Sequence, residues 1–152
     1  ERRESSTVTP QVFSLFNSQN SYSRGLALAE RAWRETEESV AGQRDVAALN
    51  RCFKLALDRQ PTADQLQTLL SHWKQLESAL PAEARPSPSV LLKVKREAVE
   101  ENTGERFTFE EPLFANREFE SDLQPVEVSR HLRALGDICL VILNSNEFVY
   151  VY

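Results

Sequence analysis

Six polar residues are the chain's best candidates for chemistry: Arg2, Arg3, Asn17, Asn144, Asn146 and Glu147. Two guanidinium groups, amides and one carboxylate would be enough, if they converged, to form part of an active site shared with an upstream domain. The amide and hydroxyl oxygens of Asn17-Ser18 and of Asn144-Ser145-Asn146-Glu147 could equally serve a small ligand or Ca²⁺. A single carboxylate among amides makes a poor isolated calcium site, however. The plainer expectation is that both clusters cap helix ends, because terminal helix carbonyls lack partners and Asn and Ser side chains readily bond to nearby backbone.

Cys52, Cys139, His72 and His131 are the other chemistry-bearing residues. Both cysteines fall on apolar helical stripes, where a free thiol behaves as a small hydrophobe. The two stripes can face each other, and in an exported protein a disulfide is then open to them, although spacing alone does not give the separation that one requires. No basic group flanks either thiol to activate it. The two histidines are expected to face solvent or cap helices. Zinc chelation is not expected, since no closely spaced ligand pair exists to seed it: His131 stands eight residues before Cys139, about 80° around the same helix. Cys-x-x-Cys-His, phosphate loops, Gly-x-Ser-x-Gly and His-Glu-x-x-His are all absent, so no metal or covalent haem is assigned to this segment.

The elements that must position these residues read as helices. Thr9-Pro10 opens the first, carrying Val12, Phe13 and Phe16. Tyr22, Leu26, Ala29, Ala32 and Trp33 mark a second, through about Glu38. Val46, Leu49, Cys52, Phe53, Ala56 and Leu57 mark a third, ended by Gln60-Pro61. Thr62 and Gln65 form a capping box ahead of Leu66, Leu69, Leu70, Trp73 and Leu76. After a Pro-rich linker at about 80–89, Val90, Leu91, Val94, Ala98 and Val99 predict a fifth helix ending near Gly104. Arg106 to Glu110 alternates with period two. A lone strand has no partner, so the segment is expected to be extended and to pack Phe107 and Phe109 onto helices. An irregular arm from Pro112 to Pro125 follows, anchored by Leu113, Phe114, Phe119 and Leu123. The last helix starts near Ser129 and carries Leu132, Leu135, Ile138, Cys139, Ile142 and Leu143. Gly136 inside it costs about 1 kcal/mol relative to Ala, which predicts close approach of another backbone. The fold expected is therefore all-α: a single-domain bundle of five or six helices over 1–152 with an extended acidic arm.

Composition agrees with a folded domain. With 152 residues, 41% apolar, 27% charged and four Gly, the chain can bury a core without staples. A net charge of −5 with no cationic cluster argues against a nucleic-acid partner. Nine acids between Glu97 and Asp122 against Arg106 and Arg117 read as a solvated face. No apolar run is long enough to span a membrane. The chain starts at Glu1 and contains no Met, and it is read as the C-terminal part of a longer protein.

Two stretches support a family resemblance. Arg2-Arg3-Glu4-Ser5-Ser6-Thr7-Val8-Thr9-Pro10-Gln11-Val12-Phe13-Ser14-Leu15-Phe16-Asn17-Ser18, with Ala27-Leu28-Ala29-Glu30-Arg31, resembles the start of the C-terminal planctomycete surface domain family, and Leu135 to Tyr152 resembles its close. Ala56 to Thr62 and Val99 to Phe109 are similar to its helical hairpin and acidic arm. Arg106 and Gly136 depart from the pattern, where Pro and Ala are expected. The resemblance implies a domain without assigned activity at the end of a multidomain exported protein, periplasmic or at the cell surface. Its partners would be upstream domains of the same chain or another protein, and any haem c would belong to other domains of the parent. It carries over no catalytic residue.

Overall fold

The computed structural model describes residues 18–40, 42–85, 90–118 and 122–149. The first predicted helix, with Arg2, Arg3 and Asn17, lies outside these residues, as do Phe119, Tyr150 and Tyr152. The chain divides into two compact units, Glu1–Pro86 with Asp122–Tyr152, and Ser87–Ser121.

Among the described residues of the first unit, four helices surround one core: α1 (Gln19–Arg34), α2 (Arg44–Leu57), α3 (Ala63–Ala79) and α4 (Arg130–Leu143), with a short α5 (Asn146–Val149) after them. Each long helix follows its apolar stripe. Leu26, Ala29 and Ala32 on α1, Ala48, Leu49, Cys52 and Phe53 on α2, Trp73 on α3, and Leu135, Ile138, Cys139 and Ile142 on α4 are all buried. The local signals act where expected. Thr62 Oγ1 accepts from the Gln65 N–H at 3.2 Å while Gln65 Oε1 accepts from the Thr62 N–H at 3.0 Å, closing the capping box that starts α3. Ser129 caps α4 by accepting from the Leu132 N–H. α2 stops at Leu57, ahead of the Gln60-Pro61 step, because Asp58 turns left-handed (φ 55°), with its carboxylate 2.6 Å from Lys54 Nζ.

α1 and α4 form the most extensive helix pair, and glycine sets their separation. A Cβ on Gly136 would stand 3.0 Å from Leu26 Cδ1 and 3.3 Å from Leu26 Cα, and one on Gly25 would stand 2.8 Å from the Gly136 carbonyl oxygen. The close backbone approach expected at Gly136 is therefore met by a second glycine opposite it.

The second unit corrects the all-α expectation. The segment read as a fifth helix is β1 (Lys93–Val99), and Arg106 to Glu110 belongs to β2 (Arg106–Pro112), so the fold is mixed α/β. The strands pair antiparallel, Lys93 opposite Pro112 and Val99 opposite Arg106. Gly104 does take a positive φ (75°), but in the turn of a hairpin rather than beyond a helix. The turn is closed by Gly104 N–H to Glu100 O (2.9 Å) and Glu100 N–H to Glu105 O (2.8 Å). Diagonal ion pairs, Lys93 with Glu110 and Arg96 with Glu111, reinforce the register. Phe107 and Phe109 remain 48% and 42% exposed, and Phe114, in a short 3₁₀ turn (Phe114–Asn116), 65% exposed, so these three do not act as the anchors expected of them.

Candidate functional site

α4 delivers the C-terminal polar cluster, and the cluster turns inward on the chain. The Asn144 N–H reaches the carbonyls of Leu140 (3.1 Å) and Val141 (3.2 Å), and its Nδ2 donates to Leu140 O at 2.8 Å. The Ser145 hydroxyl donates to Ile142 O at 2.7 Å and accepts from the Phe148 N–H at 3.3 Å, so one side chain ends α4 and starts α5. Asn146 is exposed at the first position of α5.

Glu147 is held by a residue that composition and spacing did not single out. Arg59 Nε and Nη2 donate to its two carboxylate oxygens at 2.5 and 2.6 Å, the two-pronged geometry that suits guanidinium to carboxylate. Arg59 Nη1 also donates to Gln60 O (2.9 Å) and Gln65 Oε1 (3.1 Å), so the clamp continues into the capping box of α3. The guanidinium lies 5.2 Å over the Phe53 ring. The hydrogen bonds from Arg59 hold the Glu147 carboxyl below the usual carboxylate range, and Glu147 in turn raises Arg59. The only signal for this pairing in the sequence is opposite charge, shared with many other pairs in the chain.

Beside the clamp runs a groove of about 380 Å³ whose walls include Phe53, Leu57, Leu69, Val141 and Ile142, with Thr68 and Ser145 also lining it. Its surface is mainly apolar; Arg59, Glu147 and Gln65 at its edge are engaged with one another, and Asp64 is the other charged residue in its lining.

A second cluster sits where α1, α2, α3 and α4 meet. The Trp73 indole N–H donates to His131 O at 2.9 Å, and the His131 ring stacks on Trp73 at 4.4 Å between centroids. His131 Nδ1 lies 2.8 Å from Glu77 and Nε2 3.3 Å from Asp45. Trp33 meets the imidazole edge-on at 5.0 Å, and the Arg44 guanidinium covers Trp33 at 3.9 Å while donating to Trp33 O at 3.0 Å. His131 is thus a partly buried bridge between three helices and does not face solvent as expected, whereas His72 is exposed. Both carboxylates pair with the imidazole and the guanidinium bonds to Trp33 O through Nη2, although the buried Arg44 Nε has no hydrogen-bond partner, and together these contacts make the cluster a latch on the bundle.

α4 also carries buried charge. Arg133 Nη2 donates to Pro81 O (2.9 Å) and Ala82 O (2.7 Å), tying down the chain after α3. Burial pushes the Asp137 carboxyl above its ordinary value, against the opposing pull of Arg133 and His72. Burial likewise raises the Tyr22 phenol, with Asp137 adding to it.

Of the six predicted site residues, the structure therefore describes three. It commits Asn144 to the backbone and Glu147 to Arg59, and leaves Asn146 on the surface; Arg2, Arg3 and Asn17 lie outside the described residues. Among those residues no group of three or more His, Cys, Asp or Glu is placed to hold a metal ion, and no helix is long and apolar enough to cross a membrane. No protein-family model matches the chain, and no curated protein or solved structure shows significant similarity to it.

Proposed function

We propose that the chain is a non-catalytic structural and docking module of a multidomain exported protein, with the β1–β2 hairpin as its docking element. The observation that carries this reading is the exposure of two aromatic rings, Phe107 and Phe109, on one face of the hairpin. Register places Val94 and Ala98 on the same side as Phe107 and Phe109, and both rings are about half exposed. A two-stranded hairpin is marginal in water by itself, and covering its aromatic face is the largest stabilisation open to it. Arg96 and Glu111 stand on the same face and pair with each other, so that face presents two aromatic rings beside an ion pair satisfied within the hairpin. The spending of Asn144, Ser145 and Glu147 on the fold supports a structural role for the C-terminal cluster in the same way.

On the resemblance to the planctomycete surface domain family, the occupant proposed is an upstream domain of the same polypeptide in a periplasmic or surface compartment, with any haem c carried by those other domains. Amide hydrogen exchange of β1 and β2 tests this. Measured in the longest natural polypeptide that carries the chain, exchange is expected to be at least about tenfold slower than in the 152-residue chain, a difference abolished by Phe107→Ser with Phe109→Ser. Equal exchange overturns the reading. Protection that grows with the concentration of the 152-residue chain alone assigns the face to a second copy instead.

A further inference from the structure

Cys52 and Cys139 take no part in the clamp, the latch or the hairpin. Cys52 sits on α2 and Cys139 on α4, both with no exposed surface. Their sulfur atoms are 3.4 Å apart, and both thiols are free. A disulfide bond is about 2.05 Å long, so the two sulfurs need approach by only about 1.4 Å, within the reach of small side-chain rotations. The surrounding core is apolar, and among the described residues no third ligand stands by to make the pair a metal site.

We propose that Cys52 and Cys139 are an oxidisable pair that closes into an intramolecular disulfide during folding and locks α2 to α4. The oxidant is an external disulfide, either a small-molecule one or that of a thiol–disulfide oxidoreductase. One cysteine, as thiolate, attacks the external disulfide, forms a mixed disulfide and expels the first leaving thiolate. The second cysteine gives its proton to solvent and attacks the protein-bound sulfur of that mixed disulfide, expelling the second. Two protein thiols lose two electrons and two protons, and one external disulfide becomes two thiols.

The structure also dictates when this happens. In the closed bundle neither sulfur meets solvent, and burial, with Cys52 alongside, pushes the Cys139 thiol well above its ordinary pKa, so the nucleophilic thiolate is suppressed. The first exchange with the external disulfide therefore runs before the core closes or during its opening, and the second follows as α2 and α4 come together. The same enclosure then shields the finished bond from reductant. The two residues are 87 positions apart, so the bond removes a large loop from the freedom of the unfolded chain.

The inference is independent of the docking reading, because its test uses the chain alone. The reduced, unfolded chain is refolded in a mixture of glutathione and glutathione disulfide, then alkylated in denaturant and weighed intact. The expected product has lost about 2 Da and carries no alkyl group, and its digest contains the Cys52–Cys139 linked peptide. It melts about 5–15 °C above the reduced chain. In native buffer reductant opens the bond only as fast as the bundle unfolds. Two alkylated cysteines, glutathione adducts or disulfide-linked dimers as the main product overturn the proposal, and a bond that forms without raising the melting temperature overturns the lock. Cys52→Ala provides the control: its melting temperature is expected to be indifferent to the redox buffer, and a shift equal to that of the unsubstituted chain would also refute the pairing.

Discussion

Gly25 and Gly136 face each other across the α1–α4 crossing, and the carbonyl of one occupies the space where a side chain of the other would begin. The two positions differ in degree. At Gly25 the obstacle is backbone at 2.8 Å, whereas at Gly136 the nearest atom is the end of the Leu26 side chain at 3.0 Å, with backbone, Leu26 Cα, next at 3.3 Å. Gly25→Ala is therefore expected to destabilise the chain by about 2–3 kcal/mol despite its gain in helix propensity. Gly136→Ala is expected to cost less, about 1 kcal/mol, because the Leu26 side chain can rotate, its Cα at 3.3 Å need give only by a few tenths of an ångström, and helix propensity offsets part of the cost. Urea denaturation of both variants checks the order.

Trp73 is fully enclosed and holds three elements through one ring, bonding to His131 O and packing against both Trp33 and the His131 imidazole. Trp73→Phe is expected to cost about 2–3 kcal/mol, from lost volume, the lost hydrogen bond and poorer stacking. Near-ultraviolet circular dichroism during thermal unfolding is the measurement. An unchanged midpoint would mean that the latch contributes nothing.

Glu100 controls the hairpin turn. Hydrogen bonds from Thr103, through side chain and backbone, and from the Asn102 backbone lower its carboxyl from 4.5 to about 2. A depressed folded pKa means that the stabilisation is complete above the unfolded value and is lost as pH falls from about 4.5 toward 2. Carboxyl titration by NMR is expected to give Glu100 the lowest midpoint in the hairpin. Glu100→Gln is expected to weaken hairpin amide protection at pH 7 but not at pH 2.

The Arg59–Glu147 clamp obeys the same sign. Arg59 lowers the Glu147 carboxyl, so its support for α5 is present above the unfolded carboxyl range and fades as pH falls through the folded value. Glu147→Gln is expected to increase proteolysis after Phe148 at neutral pH, and to match the parent in acid. Both side chains remain in contact with solvent, at 34% and 47% exposure, so high salt is expected to narrow the difference.

The helices of the first unit were legible because their signals are local and redundant: apolar residues recur over three or more turns, and Thr62, Gln65 and Ser129 cap through neighbours in sequence. The hairpin was not, for a geometric reason. Val94 and Ala98 are four apart, and a spacing of four keeps two side chains on one face of a helix and of a strand alike. Gly104 added to the ambiguity, since a left-handed glycine suits a helix end or a hairpin turn equally. With β1 read as helix, β2 has no partner and its alternation carries no weight. The complementary charges of Lys93 with Glu110 and Arg96 with Glu111 were the evidence available for pairing the two segments. At the candidate site, capping by Asn144 and Ser145 was readable because it is local, while the Arg59 clamp, 88 positions from Glu147, was not.

The glycine crossing also bears on how the protein is made. Its two helices stand at opposite ends of the described chain, Gln19–Arg34 and Arg130–Leu143. A ribosome needs on the order of ten seconds to get from one to the other. Throughout that interval the α1 stripe can meet α2 but not its main partner, so the bundle is completed only when synthesis has passed Leu143. A nascent chain stalled within the hairpin would leave the apolar stripe of α1 available to chaperones and proteases.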